Sequence, residues 1–77
     1  MNNKKQKATQ VKKGQIYELK NNVKINFYTK GKRYEVEAVE YDNGRGQDII
    51  TLIDDDWHKH PISENIFLAF FKLCKIQ

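Results

Sequence analysis

Asp54, Asp56, His58 and His60 stand at i, i+2, i+4 and i+6. In an unbroken strand all four side chains would share one face. Carboxylates and imidazoles together are ligands for a divalent ion. The run Asp54-Asp55-Asp56 is also a turn signal, and a turn there breaks the common face. The expectation is therefore a polar hairpin, with His60 bonded to backbone or packed beneath the loop, and no metal site. No Ser or Cys nucleophile stands in a recognisable motif beside these groups. Gly44 and Gly46 belong to a hairpin rather than to a phosphate-binding loop. No catalytic residue and no cofactor follow, and a non-enzymatic chain is expected. Cys74 lies between Lys72 and Lys75, which would favour a thiolate. The plainer expectation is a half-buried small hydrophobe.

Binding chemistry is better represented. The chain has nine aromatic residues: Tyr17, Phe27, Tyr28, Tyr34, Tyr41, Trp57, Phe67, Phe70 and Phe71. Tyr34, Phe67 and one of Phe70 or Phe71 are the core candidates, since a strand period cannot bury two neighbours on one face. Tyr28 and Trp57 fall beside loops that also carry Lys24, Lys30, Lys32 or His58. Aromatic faces beside cations suit a peptide or a single-stranded nucleic acid. Tyr28, Trp57 and Phe70 are the expected partner-binding residues.

The alternative is a nucleic-acid surface. Its phosphate contacts would be Lys4, Lys5, Lys7, Lys12 and Lys13, with Lys24, Lys30, Lys32 and Arg33 extending the track. The 77 residues carry a net charge of +4, yet residues 1–13 hold five lysines and no acid. The rest is close to neutral, and Glu35, Glu37, Glu40 and Asp42 directly follow the basic stretch. A dedicated nucleic-acid domain places its basic stripe on the folded part, so a protein partner is preferred.

The elements that must position these residues are short. Residues 1–13 are too polar to offset their ordering entropy and are expected to form a disordered basic tail, with one domain over 14–77. Gln15–Lys20 reads as a strand and Asn21-Asn22 as a turn. Residues 23–28 alternate Val23, Ile25 and Phe27 with polar or aromatic neighbours, which fits an extended segment or an ordered loop. Arg33–Tyr41 is a strand whose apolar phase slips from Tyr34, Val36 and Ala38 to Val39 and Tyr41, the mark of a β-bulge. Asn43-Gly44 signals a hairpin. Asp48–Asp54 is dense enough in β-branched residues for a central strand. His58–Ile62 returns as an edge strand, since Pro61 lacks an amide donor. Ser63-Glu64-Asn65 starts one helical turn, and Phe67–Leu73 closes as the last strand. The sum is an all-β chain: a small, five-stranded, partly open barrel of SH3-like type.

The run Gly31-Lys32-x-Tyr34-x-Val36, then Ile53-Asp54-Asp55, then His60 and Ile62 before a helical turn, resembles small phage and prophage proteins. These are SH3-like barrels, mostly of unknown function, and the similarity spans about residues 15–71. It implies the barrel and a phage-type origin, and it brings no catalytic residue. The family often has Gly in the turn after the Asp pair, where this chain has Trp57. The absence of a signal peptide and of a long apolar run implies a cytoplasmic protein with no membrane partner.

Overall fold

The structure, a computed structural model, describes residues 11–74. Six strands and one helix lie among them. They are β1 (Ile16–Leu19), β2 (Tyr34–Glu35), β3 (Ala38–Asp42), β4 (Gln47–Ile53), β5 (Lys59–Ser63), α1 (Glu64–Phe70) and β6 (Phe71–Leu73). They form two antiparallel three-stranded sheets, ordered β2-β1-β6 and β3-β4-β5. Six strands thus replace the expected five, and the sheets do not close on each other.

The additional strand comes from the expected Arg33–Tyr41 segment, which breaks at Val36 and Glu37. Val36 donates its amide to the Gln15 carbonyl beside the first sheet, at 2.9 Å. Glu37, the next residue, donates to the Thr51 carbonyl in the second sheet, also at 2.9 Å. Ala38 is the register partner of Thr51, so two residues face one, as in a bulge. The slip in the apolar pattern is the point where the chain changes sheets.

β4 is the central strand, and its side chains alternate between buried and half-buried along its length. Pro61 sits in β5, an edge strand, opposite Thr51. The hairpin between β3 and β4 closes on the Asp42 carbonyl, which accepts the Gly46 amide at 2.8 Å. Gly46 has φ 70°, a left-handed angle that glycine adopts without strain.

The last apolar run departs from the expected strand. Phe67 and Phe70 lie in α1, and only Phe71–Leu73 extends as β6. Phe67 and Phe71 are four apart, so the helix stacks their rings at 4.9 Å and 13° and buries both. Phe70 is half-buried against the core. Ser63 occupies the N-cap position without a side-chain capping bond; the Asn65 carboxamide accepts the Ile66 amide instead, at 2.9 Å.

An aromatic cluster fills the space between the sheets. Tyr17 meets Phe67 edge-on at 4.7 Å, and Tyr28 meets Phe71 at 5.3 Å and Tyr34 at 5.0 Å. Ile50, Leu52, Leu19 and Val36 complete it. Each such side chain, fully buried, stabilises by about 1.5–3 kcal/mol.

Val11 is 1% exposed and belongs to the core, while Lys12 and Lys13 beside it are exposed. Residues 1–10, including Lys4, Lys5 and Lys7, lie outside the described residues. Among the described residues no helix is long and apolar enough to cross a membrane.

Val11→Ala is expected to lower the unfolding free energy by about 2 kcal/mol, from two lost methyl groups and the void they leave. Lys13→Ala, on an exposed residue of the same segment, should stay within about 0.5 kcal/mol. Urea unfolding of both variants checks this; equal effects would place Val11 outside the core.

Candidate functional site

The long loop between β1 and β2, residues 20–33, and the turn between β4 and β5, residues 54–58, meet at one end of the molecule. Asp55 joins them. Its carboxylate accepts the Thr29 hydroxyl at 2.7 Å, the Tyr34 hydroxyl at 2.7 Å and the Lys32 ammonium at 2.9 Å. Its amide donates to the Phe27 carbonyl at 2.9 Å. The Tyr34 hydroxyl in turn accepts the Thr29 amide at 2.7 Å. These bonds, first from Thr29, then from Lys32 and Tyr34, hold the Asp55 carboxyl at about 2, well below 3.8. The hydrogen bond to Asp55 raises the Lys32 ammonium correspondingly.

Asp54 holds the turn from within. It is 4% exposed. Its Oδ1 accepts the Asp56 amide at 2.8 Å and the His58 amide at 2.9 Å. Burial opposes its charge, but those two amides, with the imidazoles of His60 and His58, outweigh burial and lower its pKa. His60 Nε2 stands 3.1 Å from Asp54 Oδ2, at ion-pair distance without the alignment of a hydrogen bond. On its other side His60 Nδ1 faces the Tyr28 hydroxyl at 3.3 Å. His60 is thus packed beneath the loop between a phenol and a carboxylate.

The four residues at alternate positions do not converge. Asp54 and His60 come together, while Asp56 and His58 are exposed on the turn. Among the described residues no group of three His, Cys, Asp or Glu is placed to hold a metal ion. Cys74 is buried, and burial first, then the Glu18 charge, pushes its thiol up. The flanking-lysine argument for an activated thiolate therefore fails.

The expected partner-binding set divides. Trp57 is 83% exposed at the tip of the turn. Tyr28 is buried in the aromatic cluster, and Phe70 is half-buried, so neither offers an open face. Phe27, which was not in that set, is 51% exposed and meets the edge of His60 at 5.8 Å. Phe27 and Trp57 are the two non-glycine residues with positive φ among the described residues, at 73° and 66°. For bulky side chains this conformation is strained. The left-handed step at Phe27 also inverts the expected alternation, turning Phe27 out and Tyr28 in. A pocket of about 190 Å³ is lined by Trp57, Tyr34, Ile53 and Asp54 together with the charged Lys32, Arg33, Glu35 and Glu37.

Of the alternative nucleic-acid residues, Lys12, Lys13, Lys24, Lys30 and Arg33 are exposed, and Lys32 is held by Asp55. Glu35 and Glu37 alternate along the chain directly after Arg33 and are exposed as well. Comparison with protein-family models, with characterised proteins and with solved structures finds no match to this chain.

Because the Asp55 carboxyl is depressed in the folded chain, its stabilising contribution is complete above pH 3.8 and is lost as the pH falls toward about 2. Urea unfolding across that window should show wild type losing stability, and Asp55→Asn should flatten the loss. Parallel acid limbs would remove Asp55 as the clamp. At the alkaline end, burial first, then the charges of Asp54, Tyr34 and Asp55, push the Tyr28 phenol up to about 12. Its contribution is present below pH 10.0 and fades between there and about 12. Absorbance titration of tyrosinate should lose its last-titrating phenol in Tyr28→Phe.

Proposed function

We propose that this chain is a small, non-enzymatic, cytoplasmic binding module of phage or prophage type, docking a protein partner on the face presented by Phe27 and Trp57. One observation carries the reading. Both non-glycine residues held in left-handed backbone among the described residues are large, exposed aromatics, and their loops are bonded to each other. Side chains this exposed recover little of that strain by burial, so the strain points to a use outside the folded chain. Trp57 sits in the turn where the resembling family often has glycine, the residue that would relieve the strain.

The SH3-like architecture is part of the proposal. What supports it is the order of elements. A long loop precedes a chain segment shared by both sheets, a meander of three strands follows, and a helix precedes the last strand. Such scaffolds host many functions, so the binding role rests on the aromatic face rather than on the fold. Nucleic acid is the less supported class, because Lys32 is neutralised by Asp55 and acidic residues interrupt the basic track after Arg33.

Trp57→Ser and Phe27→Ser, compared with wild type in affinity capture from host lysate, test this reading. A protein recovered by wild type and lost with either variant is the expected result. Recovery of the same proteins by all three forms would overturn it. Trp57→Gly should abolish capture while raising stability by about 1 kcal/mol, since glycine accepts the left-handed angle. Thermal unfolding measures the second effect.

A further inference from the structure

We propose that Asn43-Gly44 is a self-modification site, at which the asparagine converts to aspartate and isoaspartate, and that the Asp42 carboxylate is the brake on it. Of the chain's asparagines, only Asn43 precedes a glycine. The reaction needs only water. The Gly44 amide loses its proton, and its nitrogen attacks Cγ of the Asn43 side chain. A C–N bond forms there, the bond from Cγ to the carboxamide nitrogen breaks, and ammonia leaves with the proton. Water then opens the five-membered imide at either carbonyl. One opening gives aspartate, and the other gives isoaspartate, with the main chain rerouted through Cγ. Glycine is the follower that lets the backbone fold into this ring, because it has no Cβ to obstruct the approach.

Asn43 and Gly44 are exposed at the tip of the β3–β4 hairpin, so water reaches both. A Cβ placed on Gly44 would meet nothing beyond its chain neighbours except Asp42 Oδ1, at 3.4 Å. Packing therefore leaves this step of the chain open. Asp42 restrains it instead. Its Oδ1 accepts the Gly44 amide at 2.9 Å, and that N–H is the one the reaction must break. Its carbonyl accepts the Arg45 and Gly46 amides at 3.2 and 2.8 Å, which pins the turn around the same nitrogen. A carboxylate beside the nitrogen also disfavours the anion that forms there, since like charges repel. The Arg45 guanidinium, with Nε 3.6 Å from Oδ2, offsets part of that charge and leaves Oδ1 on the amide.

Conversion reaches the fold through the same residue. Either product adds a carboxylate directly after Asp42. Isoaspartate also adds a backbone atom between Asp42 and Gly46, the two ends of the bond that closes the loop. The β3–β4 hairpin thus loosens where it turns.

The test incubates the full chain at mildly alkaline pH and follows residue 43 by peptide mass spectrometry, with isoaspartate as the diagnostic product. Asp42→Ala, shown to be folded by circular dichroism, should convert about fivefold faster than wild type, the weight of one ordinary hydrogen bond. Wild type in urea should also convert faster than the folded chain. Amide hydrogen exchange at Gly44 reads the same bond without any substitution, so the proposal stays testable where Asp42→Ala does not fold. Slower exchange there than in a short peptide of the same sequence is expected. Equal conversion of folded wild type and folded Asp42→Ala, earlier conversion at another asparagine, or an unprotected Gly44 amide would each overturn the proposal.

Discussion

The Asp55 carboxylate is the constraint on which the loop end of this molecule depends. The segment 20–33 has no regular hydrogen-bonded structure of its own, and a loop of that length must be ordered by something outside it. Asp55 does so with three side-chain donors and its own amide. Two of those donors, Thr29 and Lys32, come from the loop, and the third, Tyr34, opens the strand that follows. The bonds thus fix where the loop ends and where β2 begins. They lie largely at the surface, so their value is geometric more than energetic, as with exposed ion pairs generally.

Below that clamp, aromatic packing settles the register of everything else. Phe71 touches Phe67, Tyr28 and Tyr34, residues drawn from the helix, the long loop and β2. The two tyrosines point their hydroxyls outward into the clamp, to His60 and to Asp55. Tyrosine serves both roles because its ring is apolar and its tip is polar. Core and loop face are consequently coupled. A change that shifts Tyr34 or Tyr28 reaches the loops through a single side chain.

Much of the sheet structure was legible in the sequence. The dense apolar run of β4, the Asn43-Gly44 hairpin, the phase slip before Val39 and the position of Pro61 each have a local physical cause, and each appears where that cause acts. The misread elements have non-local causes. Phe67-Leu68-Ala69-Phe70-Phe71 satisfies a strand as a short apolar run and a helix through its i, i+4 pair. Burial of both Phe67 and Phe71 decides for the helix. Val11 sits in a lysine-rich stretch, and only a cleft supplied by distant strands makes it a core residue. Phe27 and Tyr28 exchange faces through one left-handed residue, which no propensity of phenylalanine announces. Of the loop face, Trp57 was legible from its place in an acidic turn, and Phe27 was not.

The arrangement also explains how strained residues persist in so small a chain. A left-handed phenylalanine and a left-handed tryptophan each cost on the order of 1–2 kcal/mol. That is a serious fraction of what a chain of this size has to spare. Neither is offset by its own burial. Each lies instead within two residues of the bonds made by Asp54 and Asp55, and Phe27 itself supplies one of the acceptors. The carboxylates hold the backbone, and the backbone holds the aromatics outward. Loops already fixed in this way lose little conformational freedom on contact with a partner, which favours affinity without adding contact area.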